Sequence, residues 1–349
     1  MSTRRNFMGL AVGGALGTLA ALGAGSALAQ EVTLRLHQFL PPQANVPHLV
    51  LDVWADQIEA ESNGRIVIER YPAMALGGTP PELMDQVIDG IADLAWTVNG
   101  FTPGRFPRSE VFELPFFVQD ARAASAAYWQ MFEEHMAETD YQDVHLIGTW
   151  VHGPGVLHTN RPVEQIADMQ GLKLRTPSRM VGQLLEILGA EPIGLPVTMI
   201  PESLSRGVID GAVIPWEVTT ALRVAELVNN HTEFENSYPY TVTFTLAMNR
   251  DVYEGMPDDL RAIIDAHSGL DFSVFAGGTQ ADSDGPARQL AVEHGNNIIT
   301  ISEDNVMEWR QAAQPVYDEW VADMLEQGID GQALIDEARG LMDEYIASH

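Results

Sequence analysis

Apolar and polar residues alternate from Val32 to Leu36, the period of a half-buried strand, and Pro41-Pro42 closes the run. Val46, Leu49, Val50, Val53, Trp54 and Ile58 then recur at helical spacing until Asn63-Gly64, a stop signal. Alternation resumes from Arg65 to Tyr71. Gly77-Gly78 precede Thr79-Pro80-Pro81-Glu82, where Thr79 caps a new helix and Glu82 reaches back to complete a capping box. That helix runs through Val87 to Gly90, and Ala92 to Trp96 reads as a third strand. A β-α-β-α-β order predicts a partly parallel sheet with right-handed crossovers.

The pattern recurs more loosely downstream. Strands are expected at His145 to Trp150, Leu172 to Arg175, Glu191 to Ile193 and Ala212 to Ile214, with a helix from Val181 to Leu188. Thr241 to Met248 is again strand-like, and from Pro257 the pattern is helical almost to the end, with weak breaks at Gly269, Gly277-Gly278 and Gly295. No low-complexity linker and no fixed-period repeat interrupts the chain. Two α/β units joined by strands, with the chain crossing between them more than once, fit this order.

The first 29 residues stand apart. Thr3-Arg4-Arg5-Asn6-Phe7-Met8 carries a twin arginine, Gly9 to Leu22 is apolar, and Ala27-Leu28-Ala29 is a small-residue cleavage site. Diluted by glycine and alanine, the run is short of a bilayer span, so residues 1–29 are expected to be a twin-arginine export signal and the mature chain to start near Gln30 in the periplasm. Nothing after residue 29 looks membrane-spanning.

Composition narrows the function. The 349 residues are 46% apolar, which supports a packed core and excludes intrinsic disorder. Acids outnumber bases 49 to 19, a formal charge of -30 that repels phosphate backbones, so nucleic acid is not an expected partner. The absence of cysteine rules out disulfides, thiolate metal sites and a cysteine nucleophile. No G-x-S-x-G, H-E-x-x-H or Walker pattern occurs in the mature chain, and the histidines lack metal-ligand spacing. Paired carboxylates such as Glu133-Glu134 and Asp258-Asp259 lie in polar helical stretches and read as solvated faces. No catalytic residue, metal or cofactor is expected.

Gly171-Leu172-Lys173-Leu174-Arg175-Thr176-Pro177, followed by Glu202-Ser203-Leu204-Ser205-Arg206-Gly207-Val208-Ile209-Asp210-Gly211, resembles the extracytoplasmic solute receptors of TRAP transporters, the DctP-like family. Gly77-Gly78-Thr79 with Gly90 and Asp93, Glu113-Leu114-Pro115-Phe116-Phe117, His158-Thr159-Asn160-Arg161-Pro162-Val163 and Ser237-Tyr238-Pro239-Tyr240 support it in order. The resemblance implies an α/β, two-lobed periplasmic binding protein fold with a ligand cleft between the lobes and a long lobe-crossing helix. On that basis residues 30–152 plus 242–281 form lobe I, and residues 153–241 plus 282–349 form lobe II. It further implies a non-enzymatic, monomeric receptor that hands a small organic acid anion to TRAP membrane permease subunits.

Arg175 falls on the family's carboxylate-pairing arginine, and a guanidinium offers a planar fork for two parallel bonds to a carboxylate. Arg179 is instead expected to pair with a neighbouring acid. Two departures shape the ligand expectation. Many relatives carry a further arginine where this chain has Gly153-Pro154-Gly155-Val156-Leu157, and many have E-N where it has Val213-Ile214 before Pro215-Trp216-Glu217. One cation fewer and more apolar surface point to a monocarboxylate whose remainder is aromatic, benzoate-like. Trp216 is expected to wall the ring and Phe39, Trp96 and Phe101 to form the opposite wall, with His152, Asn99 and Glu217 bonding ring substituents. Three alternatives stay open: an aliphatic 2-oxo acid or C4-dicarboxylate held with a cation, a partnership with a membrane sensor kinase, and a secreted hydrolase whose carboxylates converge in the cleft.

Overall fold

Each alternating run becomes a strand in the computed structural model, which describes residues 31–349; the export signal expected at residues 1–29 lies outside the described residues. In chain order the strands are β1 (Val32–His37), β2 (Ile66–Tyr71), β3 (Leu94–Val98), β4 (Val144–Val151), β5 (Gly155–Thr159), β6 (Lys173–Thr176), β7 (Glu191–Gly194), β8 (Gly211–Pro215), β9 (Asn230–Phe234), β10 (Thr243–Asn249) and β11 (Asn297–Ile301). They form two sheets, ordered β2-β1-β3-β10-β4 and β11-β9-β5-β8-β6-β7.

In the first sheet β1 pairs in parallel with β2 and β3, as the β-α-β-α-β order requires. Its second connection carries the predicted capping box: the Thr79 N–H donates to Glu82 at 2.6 Å. β10 enters antiparallel between β3 and β4. Every residue of β3 and β10 is buried, including the polar Thr97, Thr243, Thr245 and Asn249, because these are the central strands of a covered sheet. The second sheet repeats the scheme. β6 is parallel to β7 and β8, and β5 lies antiparallel between β8 and β9.

The chain passes from the first sheet to the second between β4 and β5, and returns between β9 and β10. A third crossing runs along helix Leu270–Asp282 and helix Asp284–Glu293 into β11. Three expectations need correction. The tail is not helical throughout, since Asn297–Ile301 pairs in parallel with β9 as an edge strand; its partly exposed residues give no clear periodicity. Gly277-Gly278 is no break: the helix continues to Asp282, and a Cβ at Gly277 would meet the Ser125 side chain of helix Ala121–Met131. The glycines serve close helix packing. Finally, helix Gly331–Ser348 packs on helix Ala121–Met131, which covers the first sheet, so residues 282–349 do not all belong with the second lobe.

Candidate functional site

The carboxyl ends of parallel strands are where an open α/β sheet leaves a crevice, and here the two sheets turn those ends toward one another. Between them lies a narrow cavity of about 40 Å³. Phe39 and Leu40 reach it from beyond β1, Trp96 and Val98 from β3, Arg175 from β6, and Val213, Ile214 and Pro215 from β8. The crossing segments supply the remainder: His152 between β4 and β5, Tyr240 and Val242 between β9 and β10, and Gln280 from the crossing helix, with Glu217 at the start of helix Trp216–Leu222.

One wall is aromatic. The Phe39 and Trp96 rings stack at 4.4 Å between centroids, and Trp96 stacks on Phe244 at 5.7 Å. Trp150 lies behind, parallel to Trp96 at 6.4 Å. Such a face meets a planar ring with dispersion and quadrupole contacts.

The opposite end is cationic. Arg175 is 2% exposed; its Nε donates to the Leu195 carbonyl at 2.9 Å and its Nη1 to the Val213 carbonyl at 3.3 Å. No carboxylate pairs with it among the described residues, whereas Arg179 bridges Glu110 and Asp323 as its neighbouring acids predict. Burial lowers the Arg175 pKa to about 10, which leaves it charged at neutral pH. Beside it stands Tyr240, whose hydroxyl has no partner; burial raises its pKa, so the hydroxyl keeps its proton to donate. Gly155 makes room for it, because any Cβ there would strike the Tyr240 ring.

Glu217 is 3% exposed and burial pushes its carboxyl up to about 7. Its Oε1 accepts from Gln280 at 2.9 Å and its Oε2 has no partner. Its backbone N–H donates to Asp284 Oδ1 at 2.8 Å, and Asp284 is pushed up to about 8, first by burial and then by the nearby Glu217 charge.

The expected site residues divide. Arg175, Phe39, Trp96, His152 and Glu217 line the cavity. His152 is nonetheless spent: its Nδ1 donates to the Gly153 carbonyl and its Nε2 accepts the Val242 N–H at 3.1 Å, which fixes a neutral tautomer and leaves no ring nitrogen for a ligand. Trp216 does not wall the cavity. One position before Glu217 on the same helical turn, it points into the second lobe among Val156, Ala225, Ala287 and Ala291, with Nε1 donating to Glu233 at 2.7 Å. Asn99 is likewise structural, joining Tyr128, Tyr141 and Thr245 inside the first lobe. Phe101 sits at the cleft mouth with Pro81, Pro103 and Pro177, edge-on to Phe39 at 5.4 Å. Tyr240, Phe244 and Gln280 also line the cavity, and the sequence marks only Tyr240, within the Ser237-Tyr238-Pro239-Tyr240 stretch of the resemblance. Among the described residues no cluster of three or more His, Asp or Glu side chains is placed to hold a metal, and no helix is long and apolar enough to cross a membrane.

The architecture is similar to a TRAP solute-binding protein from Rhodoferax ferrireducens in complex with copurified benzoate. The two share 44% identity at a TM-score of 0.89, covering 90% of this chain and 99% of that one. A marine metagenome TRAP solute-binding protein specific for aromatic acid ligands, in complex with 3-hydroxybenzoate, is 38% identical at a TM-score of 0.88, covering 91% and 99%. Among curated proteins, the C4-dicarboxylate-binding periplasmic protein DctP of Rhodobacter capsulatus is 22% identical over 75% of this chain and 78% of its own length. The model of the DctP family, bacterial extracellular solute-binding protein family 7, matches residues 38–323. The chain belongs to that family and is a TRAP solute-binding protein.

Proposed function

We propose that this chain is a periplasmic, non-enzymatic receptor for a small aromatic monocarboxylate, which it delivers to the permease of a TRAP transporter. The observation that carries the reading is Arg175: a buried guanidinium without an acidic partner, facing a cavity whose other wall is the Phe39–Trp96–Phe244 stack. A buried unpaired cation is costly, so a site that keeps one is built to receive an anion. In this reading the carboxylate takes the free Nη2 of Arg175 and the Tyr240 hydroxyl, and the ring lies along the aromatic stack. The benzoate and 3-hydroxybenzoate of the two similar structures support the ligand class. The twin arginine of residues 1–29 would export the chain, and the closed pair of lobes would present the loaded cleft to the permease.

A second carboxylate has no basic residue to meet among those lining the cavity, and would lie against Val213, Ile214 and Val242. A thermal-shift panel on protein stripped of copurified ligand by unfolding and refolding tests the reading. Benzoate and hydroxybenzoates should raise the melting temperature. Stabilisation by succinate or malate but by no aromatic acid overturns it.

A further inference from the structure

A carboxylate only accepts hydrogen bonds, and the cavity contains one polar atom, Glu217 Oε2, that a carboxylate cannot satisfy once Glu217 is ionised. Three side-chain atoms lining it are buried without a partner: the Trp96 indole N–H, the Tyr240 hydroxyl and Oε2 of Glu217. The first two are donors, as is Arg175, and the carboxylate of an aromatic acid supplies acceptors for donors of this kind. Glu217 Oε2 is different. Its sister oxygen is held by Gln280 and its backbone carbonyl by Asn45, so the carboxyl is fixed in place with one oxygen left over. Buried polar groups are normally paired, and a fully buried carboxyl oxygen is costly to leave alone.

We propose that the cavity is built for a ring-hydroxylated aromatic monocarboxylate, whose hydroxyl pairs with Glu217 Oε2 while its carboxylate takes Arg175. The inference rests on the aromatic-acid reading above and narrows it. A hydroxyl is chosen over other ring substituents because it both donates and accepts. It therefore meets Glu217 whether that carboxyl is ionised or protonated, whereas a methoxy group only accepts. Unsubstituted benzoate leaves Oε2 unpaired.

Calorimetry on refolded, ligand-free protein at about pH 8, with benzoate, 3-hydroxybenzoate, 4-hydroxybenzoate and 3-methoxybenzoate, tests this without any variant. One hydroxybenzoate should bind about tenfold or more tightly than benzoate and than the methoxy compound, the ratio expected when a ligand supplies the missing partner of a buried group. Glu217→Leu removes the polar end altogether, and the ratio of hydroxybenzoate to benzoate affinity should fall to within about threefold. Benzoate binding as tightly as both hydroxybenzoates in the parent chain, or an undiminished ratio in Glu217→Leu, overturns the hydroxyl assignment and leaves the aromatic receptor standing. Binding of none of the four overturns both.

Discussion

Gln280 joins Trp150 to Glu217: its side-chain oxygen accepts the Trp150 indole N–H at 2.9 Å and its amide donates to Glu217 Oε1 at 2.9 Å. One residue of the crossing helix thus ties the first sheet to the first helical turn beyond β8 in the second. Gln280→Ala leaves two buried polar groups without partners. Chemical denaturation should show a loss of about 2 kcal/mol or more. A loss below about 0.5 kcal/mol, the level of an ordinary surface substitution, would mean that the chain of bonds carries no weight.

Arg175 should behave oppositely in stability and in binding. As a buried cation without an acid it gives the empty protein little, so Arg175→Met should unfold within about 1 kcal/mol of the parent or be more stable. Its affinity for an aromatic acid should nevertheless fall at least about 30-fold, the cost of removing a buried charged partner. Arg175→Lys should rescue poorly, since a single ammonium nitrogen cannot reproduce the planar fork that holds the Leu195 and Val213 carbonyls and still presents a third nitrogen to the carboxylate. Calorimetry paired with urea titration separates the two effects. A variant that binds normally would remove Arg175 from the site.

Trp216→Phe is the matched control from the other side of the same β8 turn. It removes the N–H bonded to Glu233, itself paired with Arg288, so stability should fall by about 1–2 kcal/mol. Affinity should change less than about twofold because the ring faces away from the cavity, whereas Trp96→Ala, which opens the aromatic wall, should cost tenfold or about that. Isothermal titration of both variants decides which tryptophan the ligand touches.

That contrast marks what the sequence could and could not disclose. Arg175 was legible because its strand and flanking motif place it at a strand end. The first three strands were legible because their alternation is regular. Trp216 was misjudged because its neighbour Pro215 ends the strand, and a helix turn sends adjacent side chains in different directions. Nothing in the order of residues says which of Trp216 and Glu217 enters the cleft. Tyr240 and Gln280 reach the cavity from segments far along the chain, so only the crossings between sheets bring them to Arg175. β11 escaped notice for another reason: on a half-exposed edge the burial that generates alternation is weak.

The two buried carboxyls Glu217 and Asp284 predict a pH dependence whose sign follows from burial. Their native pKa values, about 7 and about 8, lie above the ordinary 4.5 and 3.8. Over the interval between the ordinary and native values the folded chain holds protons that the unfolded chain has released, so this contribution to stability falls as pH rises and is fully present only below the ordinary values. Asp284→Asn cannot ionise. Its stability relative to the parent should therefore improve steadily from about pH 5 to about pH 8, although the Glu233 charge near Asp284 and the buried neutral histidines shape each curve separately. Guanidinium titrations of the two proteins across that range check the slope of the difference, and a difference independent of pH would place the Asp284 proton elsewhere.

Gly100 offers a direct handle on closure. It follows β3 at the lip of the first lobe, and a Cβ built there would lie 2.5 Å from the Ser178 Cβ and 3.0 Å from the Pro177 carbonyl oxygen at the lip of the second. Side chains do not approach so closely, so the described conformation, with the lips in contact, admits only glycine at this point. The aromatic wall belongs mainly to the first sheet and Arg175 to the second, so a ligand gains both contacts only when the lips meet. Gly100→Val should act as a wedge between lobes whose interiors it does not enter. Each lobe keeps its core, so the unfolding midpoint without ligand should move by less than the equivalent of about 1 kcal/mol. Affinity for an aromatic acid should drop about tenfold or more, because closing now forces one lip to shift. Small-angle scattering supplies the structural readout. The parent's radius of gyration should contract on adding ligand, and the variant's should stay near the open value at ligand concentrations that saturate the parent. Contraction of the variant to the parent's closed dimensions with unchanged affinity would show that the contact between Gly100 and Ser178 does not govern closure.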